Sequence, residues 1–156
     1  METSQQEFAR RMEQYRDGCS KAGVKLTYQR FVIMEELART HGHPDTEMIH
    51  HAVRQRIPMI SLDTVYRTLW LLRDLKLIES LGSIQDRVRF DANPNPHHHF
   101  VCSRCGDTHD FYYEKFNQLS VPATVFEMGS VETIRVEMRG QCNRCNLTEN
   151  KSRLQS

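Results

Sequence analysis

Residues 61–77 read SLDTVYRTLWLLRDLKL, and this stretch decides the class of fold. Leu62, Val65, Leu69 and Leu72 recur at helical spacing on one side, while Thr64, Arg67, Thr68 and Asp74 lie away from that stripe. Ser61 stands where an N-cap belongs. Downstream, LIESL, a Gly82-Ser83 turn and RVRF, with its alternating basic and apolar residues, predict a short hairpin. Upstream, Thr27 caps a segment carrying Phe31, Ile33, Met34 and Leu37 to about Thr40. Pro44 and Asp45 then open another, with Met48, Ile49, Ala52 and Val53 on one face. A polar-rich helix from Gln5 to Ala22 precedes both. Three helices followed by a hairpin is the order of a winged helix-turn-helix, with the polar face of residues 61–74 turned to DNA. The alternative is a small helical domain whose polar face is merely solvated.

Around FDANPNP, residues 90–96, the character changes. HFVCS and THDFYY read as strands, EKFNQLS as a short helix and SVETIRVEMRGQC as a long alternating strand. The expected organisation is therefore α+β, with a winged helix-turn-helix domain over residues 1–89 and a small α/β domain over residues 90–156.

Two domains within 156 residues would each bury a limited core, which makes a structural metal or an oligomer interface a source of stability. The chain is 38% hydrophobic and 26% charged, with no apolar run long enough for a transmembrane helix. METSQQE lacks the basic-then-apolar order of a secretory signal, so the expected compartment is the cytoplasm, where paired cysteines serve as metal ligands rather than disulfides. The formal net charge of +1 does not mark a nucleic-acid binder, so any such surface must be local.

Cys102-x-x-Cys105 and Cys142-x-x-Cys145 are two knuckles separated by 36 residues. Each grips one edge of a metal, and together they complete a tetrahedral set of four thiolates of the kind zinc favours, closed and hence structural. PNPHHHFVCSRCGDTHDF, residues 94–111, adds histidines to the first knuckle. On an extended segment His97 and His99 share a face and His98 looks the other way. Asp91 and Asp110 are nearby carboxylates, and His43 is a further candidate. Imidazole plus carboxylate without sulfur suits Fe2+, Mn2+ or Zn2+ with more than four ligands, the alternative being a His-rich loop that binds nothing specific. Cys19 stands alone and is expected to be a thiol of low reactivity. His41, His50, His51 and His109 are expected on solvated surfaces, and Trp70 as packing at the edge of its helix.

VKLTYQR, HPDTEMIHHAV, SLDTVYRTLWLL, RFD, HHHFVCSRCGDTHDF and GQCNRC, in this order and at these spacings, resemble the ferric uptake regulator family over about residues 20–146. The resemblance implies a homodimer that binds a palindromic A/T-rich operator in double-stranded DNA, with no membrane partner and no small-molecule substrate. It implies a structural Zn2+ on Cys102, Cys105, Cys142 and Cys145. A regulatory Fe2+ or Mn2+ would sit on His43, Asp91, His97, His99 and Asp110. Tyr66 and Arg67 would lie in the major groove with Thr64 beside them, Lys25 would reach the minor groove, and Arg87 and Arg89 of the wing would hold backbone.

Asp110, where many iron-uptake regulators carry Glu, is similar to the peroxide-responsive (PerR) branch, in which iron-dependent oxidation attacks histidine ligands, by position His43 and His97. Ligands of a third site common in the family would fall at Pro96, His98 and Ile134, only one of which can bind metal. Tyr28 replaces the usual Pro of the T-P-Q-R motif, and Arg67 is more typical of the iron-uptake branch. The expected function is thus a metal-dependent repressor sensing hydrogen peroxide. One alternative is an iron, zinc or manganese homeostasis regulator; a metal-dependent hydrolase is another, against which stands the lack of a candidate base or nucleophile beside the ligands.

Overall fold

The computed structural model describes residues 4–82, 88–93 and 95–147, in two compact units, Met1–Pro94 and Asn95–Ser156. The first unit contains α1 (Gln5–Lys21), α2 (Tyr28–Arg39), α3 (Thr46–Arg54) and α4 (Leu62–Asp74), followed by β1 (Glu79–Leu81) and β2 (Arg89–Asp91). Every one of the four helices begins at a side chain that satisfies an otherwise unpaired backbone N–H. Ser4 accepts from Glu7, Thr27 from Arg30, Asp45 from Met48 and Ser61 from Thr64. The strands pair antiparallel, Ser80 opposite Phe90, and the residues between them at 83–87 lie outside the described set.

The helices enclose an apolar core built from Tyr15, Val32, Ile33, Met34, Leu37, Ile49, Val53, Val65, Leu69, Leu72 and Phe90. Helix α4 contributes Val65, Leu69 and Leu72, each worth roughly 1.5–3 kcal/mol of burial. Two expectations for it fail. Leu62 is exposed, being in the first turn. Thr68, expected outside, is buried, because its hydroxyl donates to the Thr64 carbonyl at 2.9 Å and only its methyl remains to be packed. Met48, expected on the apolar face of α3, is likewise exposed. Trp70 packs its ring edge-on against Phe90, carries the Arg73 guanidinium 3.8 Å from its centre and touches Tyr66, with ring centroids 5.5 Å apart.

The second unit contains β3 (His98–Cys102), β4 (Thr108–Phe111), α5 (Glu114–Asn117), α6 (Ala123–Phe126) and β5 (Glu137–Gly140). Its sheet runs β4-β3-β5, with β4 antiparallel and β5 parallel to β3. The parallel pairing sets Cys102 opposite Gly140, which carries the second cysteine knuckle to the end of the strand that bears the first. The strand expected over residues 130–142 is shorter than its alternating pattern. The ladder with β3 spans His99 to Cys102, so four residues of β5 find partners.

Candidate metal centres and nucleic-acid face

The cysteine centre lies wholly within the second unit. A hairpin between β3 and β4 presents Cys102 and Cys105, and Gly106 closes its turn with a left-handed φ of 70° that favours glycine. The Gly106 N–H donates to the Cys102 carbonyl at 2.9 Å, and the Cys142 N–H donates to the Cys102 sulfur at 3.3 Å. All four sulfurs, of Cys102, Cys105, Cys142 and Cys145, lie within 4.8 Å of one another. Backbone N–H groups at Cys105 and Cys142 lower the Cys102 thiol to about 6, whereas burial, followed by the neighbouring thiols, pushes Cys145 up to about 12. Four sulfurs this close cannot all ionise without a cation among them, and a tetrahedral thiolate set is what zinc takes. The residues present fit a structural Zn2+.

Histidine and aspartate ligands expected from the sequence are found in both units. In the second, the His97 and His99 Nε2 atoms are 2.8 Å apart, and Asp110 Oδ1 lies 3.6 Å from each. His99 pairs across the ladder with Asp110, so β4 brings the carboxylate to the imidazole face. The carbonyl of Asn95 sits 2.6 Å from His97 Nδ1 and directs Nε2 toward the other two donors. This N,N,O set fits a divalent ion such as Fe2+ or Mn2+ and leaves room for further ligands. His98 turns away, as the alternation predicts; it is fully buried, with its ring against Phe111 and Phe116.

In the first unit, His43 Nε2 stands 4.0 Å from Asp91 Oδ1, both side chains buried. β2 holds the pair together: Arg89 donates to the His43 carbonyl at 3.0 Å and the Phe90 N–H to the Pro44 carbonyl at 2.8 Å. Asp91 also accepts from the Asn93 N–H at 2.8 Å, which fixes its carboxylate. Arg89, expected to hold DNA backbone, is therefore half-buried with its Nη1 turned inward. The hydrogen bond it makes to His43 is a contribution that the sequence reading did not find. No short-range motif signals a bond between residues 46 positions apart.

On α4, Tyr66 and Arg67 are exposed, and Thr64 is half-buried with its hydroxyl 2.8 Å from that of Ser61. Lys25 is exposed, and its carbonyl accepts from Arg30 at 2.6 Å. Arg87 lies outside the described residues. Cys19 is buried, and burial pushes its thiol up, which lowers its thiolate fraction. His50 is half-buried rather than solvated, 3.0 Å from the Ile60 carbonyl.

Residues 21–139 match the Ferric uptake regulator family. The chain belongs to that family. A peroxide-responsive repressor PerR of Staphylococcus epidermidis is 34% identical over 125 residues, covering 80% of this chain and 83% of the relative. Among solved structures, the Helicobacter pylori ferric uptake regulator, described as having three functional metal binding sites, superposes with a TM-score of 0.72 at 24% identity, covering 89% of this chain and 93% of that one. The Campylobacter jejuni peroxide stress regulator gives 0.63 at 23% identity, covering 86% and 98%. Members of the family are DNA-binding dimers and transcriptional regulators, so the chain is a metal-dependent repressor and not a hydrolase. No helix among the described residues is long and apolar enough to cross a membrane.

Proposed function

We propose that this chain is a cytoplasmic peroxide-sensing repressor of the PerR type, with residues 1–89 binding DNA and residues 90–156 binding metal and the second subunit. The observation that carries this reading is the convergence of His97, His99 and Asp110, with Asp rather than Glu as the carboxylate. His43 and Asp91 complete the proposed regulatory set, and five protein ligands on an octahedral ion leave one position for a small oxidant. A bound Fe2+ would supply the electron that cleaves hydrogen peroxide, which Mn2+ in the same set would not.

Everything else falls to the protein. His43 and His97 are the proposed acceptors of the oxygen. An oxidised imidazole is a poorer donor, so His97 would no longer share the ion with His99 and Asp110. His43 and Asp91 are strapped to the wing strand β2 through Arg89 and Phe90, so their engagement bears on where the wing is held. Lys25, Thr64, Tyr66 and Arg67 are the proposed DNA-facing residues, on a palindromic A/T-rich operator, with Cys102, Cys105, Cys142 and Cys145 keeping the second unit folded around zinc.

The test is peptide mass spectrometry of zinc-replete protein loaded anaerobically with Fe2+ and given a small dose of hydrogen peroxide, beside a Mn2+ control. The expected result is one added oxygen on His43 or His97 in the iron sample alone, with loss of DNA binding. Unmodified histidines with DNA binding intact would assign the chain to metal homeostasis instead. His97→Ala should keep fold and zinc yet lose metal-dependent DNA binding; unchanged affinity in that variant rejects the regulatory set.

A further inference from the structure

Asp63 is the second residue of α4, in the first turn where the helix dipole favours an acid, yet on a surface that is to meet DNA it also has an electrostatic cost. Its carboxylate is exposed on the same end of the helix as Tyr66 and Arg67, where an anion opposes phosphate. It does not cap the helix, because Ser61 already accepts from the Thr64 N–H at 3.1 Å. One turn along, Arg67 Nε lies 2.9 Å from Asp63 Oδ2, with the two side chains 78% and 65% exposed. In water such an i, i+4 pair contributes little to the fold. Its consequence is for Arg67.

An arginine gripped on its Nε side keeps its Nη1/Nη2 edge for a second partner. That edge matches O6 and N7 of guanine in the major groove, whereas an untethered arginine is free to swing to a phosphate, which carries no sequence information. Tyr66 is braced in a comparable way by the Trp70 ring four residues on. We infer that Asp63 is a specificity-determining positioning residue: it aligns Arg67 for guanine and, by repelling phosphate, holds down binding to unrelated DNA. This rests on the reading that α4 enters the major groove.

The test uses full-length, zinc-replete, Mn2+-loaded protein and a randomised duplex pool, from which wild type, Asp63→Ala and Arg67→Ala each select their sites. Wild type is expected to enrich one guanine per half-site at the position Arg67 reads. Arg67→Ala should lose that guanine. Asp63→Ala should keep the rest of the motif while its guanine preference drops about ten-fold or more, and its affinity for a scrambled duplex should rise. A loss of helix stability alone would lower all affinities together and leave base preference unchanged. An unchanged guanine preference in Asp63→Ala, or in Arg67→Ala, overturns the inference while leaving the DNA reading intact. A wild-type pool with no enriched motif removes the DNA reading and this inference with it.

Discussion

The two units achieve order by different means. In the first, residues from all four helices and from β2 meet in one apolar cluster, from Met12 to Ala92. In the second, the buried apolar residues among those described are Cys102 and Cys145, and the other buried side chains are His97, His98, His99 and Thr108. Several of its large apolar side chains, Tyr112, Phe126, Met128, Ile134 and Met138 among them, are exposed in the single chain, while Phe100, Phe111 and Phe116 are half-buried. A unit this poor in hydrophobic burial has to draw its folding free energy from elsewhere. The cysteine cluster and the second subunit are the available sources, so one half of the molecule folds on its own sequence and the other depends on what it binds.

The sharpest way to break this comparison is to remove the zinc. Cys102→Ser, or extraction by a strong chelator, should abolish dimerisation and unfold the second unit, since structural zinc contributes on the order of 10 kcal/mol. Sedimentation and amide hydrogen exchange resolved by unit would read it; a dimer with residues 95–147 still protected would refute the contrast. The reciprocal change, Leu69→Ala, should cost about 2–5 kcal/mol in the first unit, visible as a lower Tm at unchanged zinc content. Loss of zinc in that variant would mean the units are energetically fused. Ser61→Ala is the mildest: removing the cap of α4 should cost about 1 kcal/mol and leave the zinc, the dimer and the second unit's exchange rates as they were.

The contrast also explains what could be read from sequence. The helices of the first unit announce themselves through local chemistry: Ser61 and Thr27 cap where expected, Asp45 caps the helix it was expected to open, and the stripe of Val65, Leu69 and Leu72 is buried. Errors there concern first-turn residues such as Leu62 and threonines such as Thr68, which satisfy their own hydroxyls. In the second unit the cysteine spacing was legible because zinc demands it. The strand over residues 130–142 was overdrawn because a strand extends only as far as its ladder partner, and that length is set by β3. The short α6 was missed, since Thr124 and Val125 are β-branched and resemble a strand. The hydrogen bond from the Arg89 side chain to the His43 carbonyl is a long-range contact that no periodicity encodes.

Trp70, the single tryptophan, gives the molecule a built-in optical probe. Its ring touches Tyr66, carries Arg73 and packs edge-on against Phe90, so its emission reports on β2 and on α4, the helix that carries it. Occupation of that helix by DNA would register as a change in intrinsic fluorescence, with no label and no second tryptophan to disentangle. Binding kinetics in each metal state are thereby open to stopped-flow measurement on the unmodified protein.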